Sequence, residues 1–195
     1  MLSLFIDFKC PASYLALDPT VALAARHGTG ISWQAFRSRQ EAIPAERADE
    51  TRGETHRRVR ALQRRATHSK YAGLRGLEMA FRADPGESDA ALSALNCHLA
   101  DPLAYVRRAF RAYWMEGADL NDAQTVFSLL EETGNPVGQG ELAAARAGFD
   151  GYQTEMEEAG IFITPTYRLA DQTFVGREHL PLIGRLLEQG VAGEV

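Results

Sequence analysis

Four residues near the start constrain this chain more than any other stretch. Cys10-Pro11-Ala12-Ser13 follows an apolar run, Leu2-Ser3-Leu4-Phe5-Ile6-Asp7-Phe8, and precedes Tyr14-Leu15-Ala16-Leu17. The run reads as a buried strand, the tetrad as a tight turn, and the rest as a helix start. Pro11 suits a first helical turn, where a missing N–H costs nothing. A thiol there meets unpaired backbone N–H groups and the positive end of the helix dipole, both of which favour an anion. Cys10 is therefore expected to titrate below the free value of about 8.5 and to act as a nucleophile. Ser13 stands where a dithiol would have its second cysteine. A C-x-x-S motif can attack a disulfide but cannot resolve the product within itself. Ser13 is expected mainly to help cap the helix. Tyr14 is equally placed for packing or for substrate contact.

The opening continues as a βαβ unit. Ser13 to His27 has helical spacing, with Pro19 a candidate bend and Gly28 and Gly30 as stops. Ile31, Trp33 and Phe36 suggest a second strand, parallel to the first. From Ala45 to about Gly160 the patterns are helical. They cover the charged stretch Arg47 to Lys70, then Gly73 to Arg82, Ser88 to His98 and Asp101 to Glu116. Asn121 to Glu132 follows, with Asn121 as cap, then Glu141 to Gly148 and Tyr152 to Ala159. Strand character returns at Thr166 to Ala170 and Thr173 to Val175 as a hairpin, and Glu178 to Gln189 closes as a helix. The expected architecture is α/β. Residues 1–44 and 161–195 form one βαβ–ββα unit, and 45–160 a helical insertion.

Composition excludes several classes. The chain has 195 residues, 45% of them hydrophobic, and a net charge of −5. That supports a sizeable core and argues against a general nucleic-acid surface. No apolar run is long enough to span a membrane, and the start lacks the pattern of a signal peptide. A cytoplasmic protein is expected. Its two cysteines, Cys10 and Cys97, do not suggest a structural disulfide in that compartment. Cys97 is expected to pack in the core, with a resolving role opposite Cys10 the alternative. Cys97 and His98 are neighbours and do not share a helix face. His27, His56, His68 and His179 show no metal-ligand spacing, so no metal is expected. The arginines around Arg57 read as a solvated helix face paired with Glu50 and Glu54.

Three segments resemble one branch of a known family. Asp7-Phe8-Lys9-Cys10-Pro11-Ala12-Ser13-Tyr14-Leu15-Ala16 is similar to D-F-x-S-P-x-S-Y-L-A. Gly160-Ile161-Phe162-Ile163-Thr164-Pro165-Thr166 is similar to G-V-F-G-V-P-T. Val175-Gly176-Arg177-Glu178-His179-Leu180 is similar to W-G-x-D-R-L. These motifs, in this order, resemble the DsbA-like thioredoxin-fold family. The nearest branch is that of 2-hydroxychromene-2-carboxylate isomerases and kappa-class glutathione transferases. That branch usually has serine at position 10, whereas the disulfide-exchange branches have cysteine. The insertion carries Asp84-Pro85-Gly86-Glu87-Ser88 where the isomerases have a Pro-Asn segment.

The resemblance implies a thioredoxin-like fold with Pro165 cis and facing Cys10. It implies that the Thr164 backbone pairs with an extended peptide, of which glutathione is one. It also implies that Glu178 meets the γ-glutamyl ammonium of glutathione. The plain reading of Glu178 is a favourable charge at a helix start. Arg177 either holds a carboxylate or faces solvent. Pro11 and Tyr14 would complete the ligand contacts, and related enzymes imply a homodimer. The leading expectation is a glutathione-linked thiol–disulfide oxidoreductase working through Cys10 alone. The alternatives are a glutathione-dependent isomerase or transferase, in which position 10 only stabilises the glutathione thiolate, and a thiol-peptide binding module without turnover.

Overall fold

The computed structural model describes residues 1–40 and 42–190. The last five residues of the expected 161–195 segment lie outside that range. Strand β1 (Leu2–Ile6) is central in a four-stranded sheet of order β2-β1-β3-β4. It pairs in parallel with β2 (Ile31–Ala35) and antiparallel with β3 (Thr166–Leu169), which pairs antiparallel with β4 (Gln172–Val175). Period-2 alternation sends Leu2, Leu4 and Ile6 into the main core. Phe5 points to the opposite face, where it meets Phe36 and Ile161. A strand buried on both faces explains its near-continuous apolar run.

Helix α1 (Pro11–Arg26) runs through Pro19. Proline cannot donate to the carbonyl four residues back, which here belongs to Leu15. The Arg75 guanidinium donates to that carbonyl instead. The break in the ladder is thus filled from another element.

Among the described residues, the regular elements between β2 and β3 are all helices. Helix α2 (Arg52–Leu74) is capped by Thr51 and Glu54 in a reciprocal box. It starts later than the charge pattern suggests and buries only Ala72. Its Arg58 holds Glu50 through both guanidinium edges, at 2.8 and 3.1 Å. The expected helix over Gly73 to Arg82 does not form. Gly76, at φ 64, ends α2, and Leu77 N–H closes the turn onto the Ala72 carbonyl at 2.9 Å. Leu77, Met79 and Phe81 then pack on the core at every second residue, the period of an extended chain.

Helices α3 (Asp89–Ala94), α4 (Pro102–Trp114), α5 (Ala123–Glu132), α6 (Gln139–Ala147) and α7 (Phe149–Glu158) complete the insertion. Helix α3 stops before Cys97 and His98, which lie in the turn beyond it. Asp122, not Asn121, caps α5, because its carboxylate reaches the Thr125 N–H at 2.8 Å. Helix α8 (Leu180–Glu188) begins after a short 3₁₀ turn, Arg177–His179. Glu178 therefore sits in that turn and not in an α-helical first turn.

Candidate active site

The end of β1 and the start of α1 position the thiol. Cys10 is the N-cap of α1, with extended φ and ψ of −82 and 116°. Its N–H donates to the Asp7 carbonyl at 3.0 Å, and its own carbonyl accepts from Tyr14 N–H at 3.2 Å. Trp114 of α4 braces the approach, because its indole N–H donates to the Phe8 carbonyl at 3.0 Å. The Cys10 thiol donates to the Thr164 carbonyl at 3.3 Å.

The Thr164–Pro165 bond is cis. The Pro165 carbonyl accepts from Gly176 N–H at 2.9 Å, which ties this turn to the end of β4. Two segments more than 150 residues apart in sequence are thereby brought together at the sulfur. Thr164 and Pro165 are themselves buried, so the Thr164 backbone does not stand open to solvent as the resemblance implies. Phe162 and Ile163 are the residues of this loop that face outward.

The expected low pKa of Cys10 is not what this geometry gives. Cys10 is only 3% exposed. Burial pushes the thiol above its ordinary value of 9.0, and the nearby Asp7 charge adds to this. Thr164 and the Ser13 backbone pull the other way without reversing it. The helix start is real, but loss of water outweighs it. Cys97 is also a free thiol, and burial raises it to about 11.

The other expected site residues divide into two sets. Ser13 is fully buried, and its hydroxyl accepts from Asp7 N–H at 3.4 Å. It makes no side-chain cap to α1. Tyr14 is a packing residue, lying against Phe110 at 5.3 Å and parallel to Trp114 at 6.1 Å. Pro11 opens α1 and is half-buried. Arg177 and Glu178 instead line a cavity of about 420 Å³ beside Ala12 of the thiol motif. Glu178 folds back over Gly176, whose φ of 89° and contact with that carboxylate leave no room for a Cβ.

Two further residues enter from α2. His68 and Tyr71 form the opposite wall of the cavity. The Arg177 guanidinium lies 4.6 Å from the centre of the Tyr71 ring. Burial, and then the Arg177 and Arg64 charges, hold His68 below its ordinary 6.5. It is neutral near pH 7. Among the described residues, no group of three or more His, Cys, Asp or Glu side chains is placed to hold a metal. Nor is any helix long and apolar enough to cross a membrane.

A family model for the DSBA-like thioredoxin domain matches residues 1–188. The chain belongs to the DSBA-like thioredoxin domain family. Solved structures agree on the fold. A 2-hydroxychromene-2-carboxylate isomerase superposes with a TM-score of 0.73 at 23% identity, covering 100% of this chain and 99% of its own. A probable DsbA oxidoreductase from Streptomyces coelicolor gives 0.68 at 19% identity, covering 100% and 91%. The cytosolic disulfide reductase DsbM from Pseudomonas aeruginosa, solved with GSH, gives 0.58 at 19% identity, covering 97% of each chain. No curated protein sequence matches the chain.

Proposed function

We propose that this DSBA-like protein is a glutathione-linked thiol–disulfide oxidoreductase that uses Cys10 as its single working thiol. The observation that carries the reading is the meeting of Cys10 with Thr164, at 3.3 Å, in a motif whose Ala12 lines a cavity together with Arg177 and Glu178. Arg177 offers a cation and Glu178 an anion, which suits the zwitterionic γ-glutamyl end of glutathione. The DsbM structure solved with GSH supports the choice of ligand.

The chemistry balances with two thiols. Cys10 loses its proton to solvent, and its thiolate attacks one sulfur of a glutathione mixed disulfide. A Cys10–glutathione disulfide forms, and the substrate leaves as a thiolate. A second glutathione thiolate attacks the glutathione sulfur of that adduct. Oxidised glutathione and the Cys10 thiolate result, so the substrate thiol is released and one incoming glutathione is oxidised, paired in the product with the glutathione the substrate carried. The arriving ligand must replace the contact between Cys10 and the Thr164 carbonyl. Because the resting thiol is neutral, the rate should climb with pH through the neutral range. Glutathione as reductant fits a reducing, cytoplasmic setting.

One observation favours a second reading, a glutathione-dependent isomerase or transferase. Cys10 is a buried, neutral S–H donor. It can donate to a glutathione thiolate as a serine would, though more weakly. Cys10→Ser separates the two. Exchange with a glutathionylated peptide should fall to background, because a hydroxyl is not a practical nucleophile toward sulfur at neutral pH. Exchange that persists in the variant would overturn the leading reading. Turnover of 2-hydroxychromene-2-carboxylate that needs glutathione and survives the substitution would establish the second.

A further inference from the structure

Helix α2 buries only Ala72, and the function above uses only the end of it that lines the cavity. It carries six arginines and one lysine against a single acid, Glu54, in a chain whose net charge is −5. Part of that charge is satisfied within the chain. Arg58 is held by Glu50, and Arg65 lies over the Phe81 ring at 5.0 Å. Glu54, an expected partner of the arginines around it, is taken by Thr51 N–H at 2.8 Å and by Arg47 at 2.9 Å. Arg57, Arg60 and Arg64 are exposed, and among the described residues none of them forms an ion pair. They stand three and four residues apart, so they share one helix face. The same face continues through Thr67, His68 and Tyr71 into the wall of the cavity that Ala12 of the thiol motif also lines. There the Arg177 guanidinium faces the Tyr71 ring at 4.6 Å. A single cationic stripe thus leads along α2 to the candidate site.

We propose that the Arg57, Arg60 and Arg64 stripe is a docking track for the polypeptide arm of the substrate, and that this arm is an acidic segment of extended chain. The inference rests on the reading of Cys10 as the working thiol. A glutathione mixed disulfide has two arms, and Arg177 and Glu178 take the glutathione arm. The other arm has to leave the cavity, and the α2 wall offers it an exit lined by cations. Length separates the two. From Arg57 to Tyr71 the helix rises about 21 Å. The three residues of glutathione reach about 10 Å, so they do not bridge it. An extended segment of about six residues does. Alternate side chains of such a segment point the same way and repeat at about 7 Å, close to the rise of about 4.5 and 6 Å between successive arginines. Carboxylates at every second position then meet Arg64, Arg60 and Arg57 in turn. Nucleic acid fits less well. Single strands bind through bases stacked on aromatic faces as well as through phosphates. Tyr71, the one aromatic residue of the stripe, is already faced by Arg177.

The test is fluorescence anisotropy with a labelled peptide of about nine residues, carrying glutamate at every second position and serine in place of the reactive cysteine. A peptide with glutamine for every glutamate is the control. At low salt the acidic peptide should bind the wild-type protein roughly tenfold more tightly, since three exposed ion pairs worth about twofold each multiply to that scale. The preference should fade at about 0.5 M salt, where charges are screened within a few ångströms. It should also be lost in the triple variant Arg57→Gln, Arg60→Gln, Arg64→Gln, checked for folding by circular dichroism. Equal affinity of the wild type for the two peptides would overturn the proposal. So would a preference that survives in the folded variant, or a single-stranded oligonucleotide of the same charge that binds as tightly as the acidic peptide. If the variant does not fold, the two peptides and the salt series decide alone. Binding needs neither Cys10 nor turnover. A protein that keeps the acidic preference but exchanges with no glutathionylated peptide would lose the proposed function and retain the track, so the two failures are told apart.

Discussion

Replacing Trp114 by phenylalanine should loosen the thiol turn from below. Trp114 is the last residue of α4, 3% exposed, and its indole N–H satisfies the Phe8 carbonyl at 3.0 Å. Phenylalanine keeps an aromatic ring against Tyr14, Phe81 and Tyr113 but has no donor. Phe8 is fully buried, so its orphaned carbonyl should cost about 1–3 kcal/mol. The smaller ring leaves space that adds about 1 kcal/mol. The sum, about 2–4 kcal/mol, should lower the urea midpoint by roughly 1 M with the slope unchanged. Equilibrium unfolding followed by far-UV circular dichroism measures this. Phe8 lies two residues before Cys10, so the Cys10 modification rate should rise in the same variant. A midpoint within about 0.2 M of wild type would refute the brace. So would the full loss of stability with Cys10 reactivity unchanged, because the brace would then not reach the thiol.

The α2 wall of the cavity gives further expectations. His68 should titrate below 6.5 in its imidazole proton NMR signals, and Arg177→Gln should move it back up by removing one of the charges that depress it. Because the folded value lies below the unfolded one, its contribution to stability is present above pH 6.5 and is lost as pH falls through the folded value. A His68 titration at or above 6.5 would mean that the cavity wall is open to water. Arg177→Gln and Glu178→Gln should each weaken glutathione binding by roughly tenfold or more in calorimetry, the scale of one charge-assisted hydrogen bond. Equal affinity in both variants would move the γ-glutamyl end elsewhere.

Much of the fold was legible because it rests on local signals. The apolar run of β1, the proline after Cys10, and the Ala170-Asp171 break between β3 and β4 each mark an element by themselves. The 77–88 stretch was not legible in the same way. Leu74, Leu77 and Phe81 fit a helical spacing, and Leu77, Met79 and Phe81 fit an extended one. Packing on the core chose the second. For the thiol, the helix start predicted a lowered pKa. The opposing effect comes from burial of the sulfur, which arises only in the folded chain and leaves no local trace. Asp7 was visible as the place where an apolar run stops and as the first residue of the motif around Cys10. That its buried carboxylate accepts from Ser38 and Ser88 was not, because both are ordinary loop serines in sequence. His68 and Tyr71 were hidden for a similar reason, on a helix whose pattern speaks mainly of solvent.

The central claim is that Cys10 carries glutathione through a covalent adduct. Peptide-resolved mass spectrometry after incubation with oxidised glutathione tests it most directly. One glutathione should be found per chain, at Cys10 and not at Cys97, released by dithiothreitol and absent from Cys10→Ser. An unmodified Cys10 under conditions where free thiols exchange, or an adduct confined to Cys97, would contradict the account.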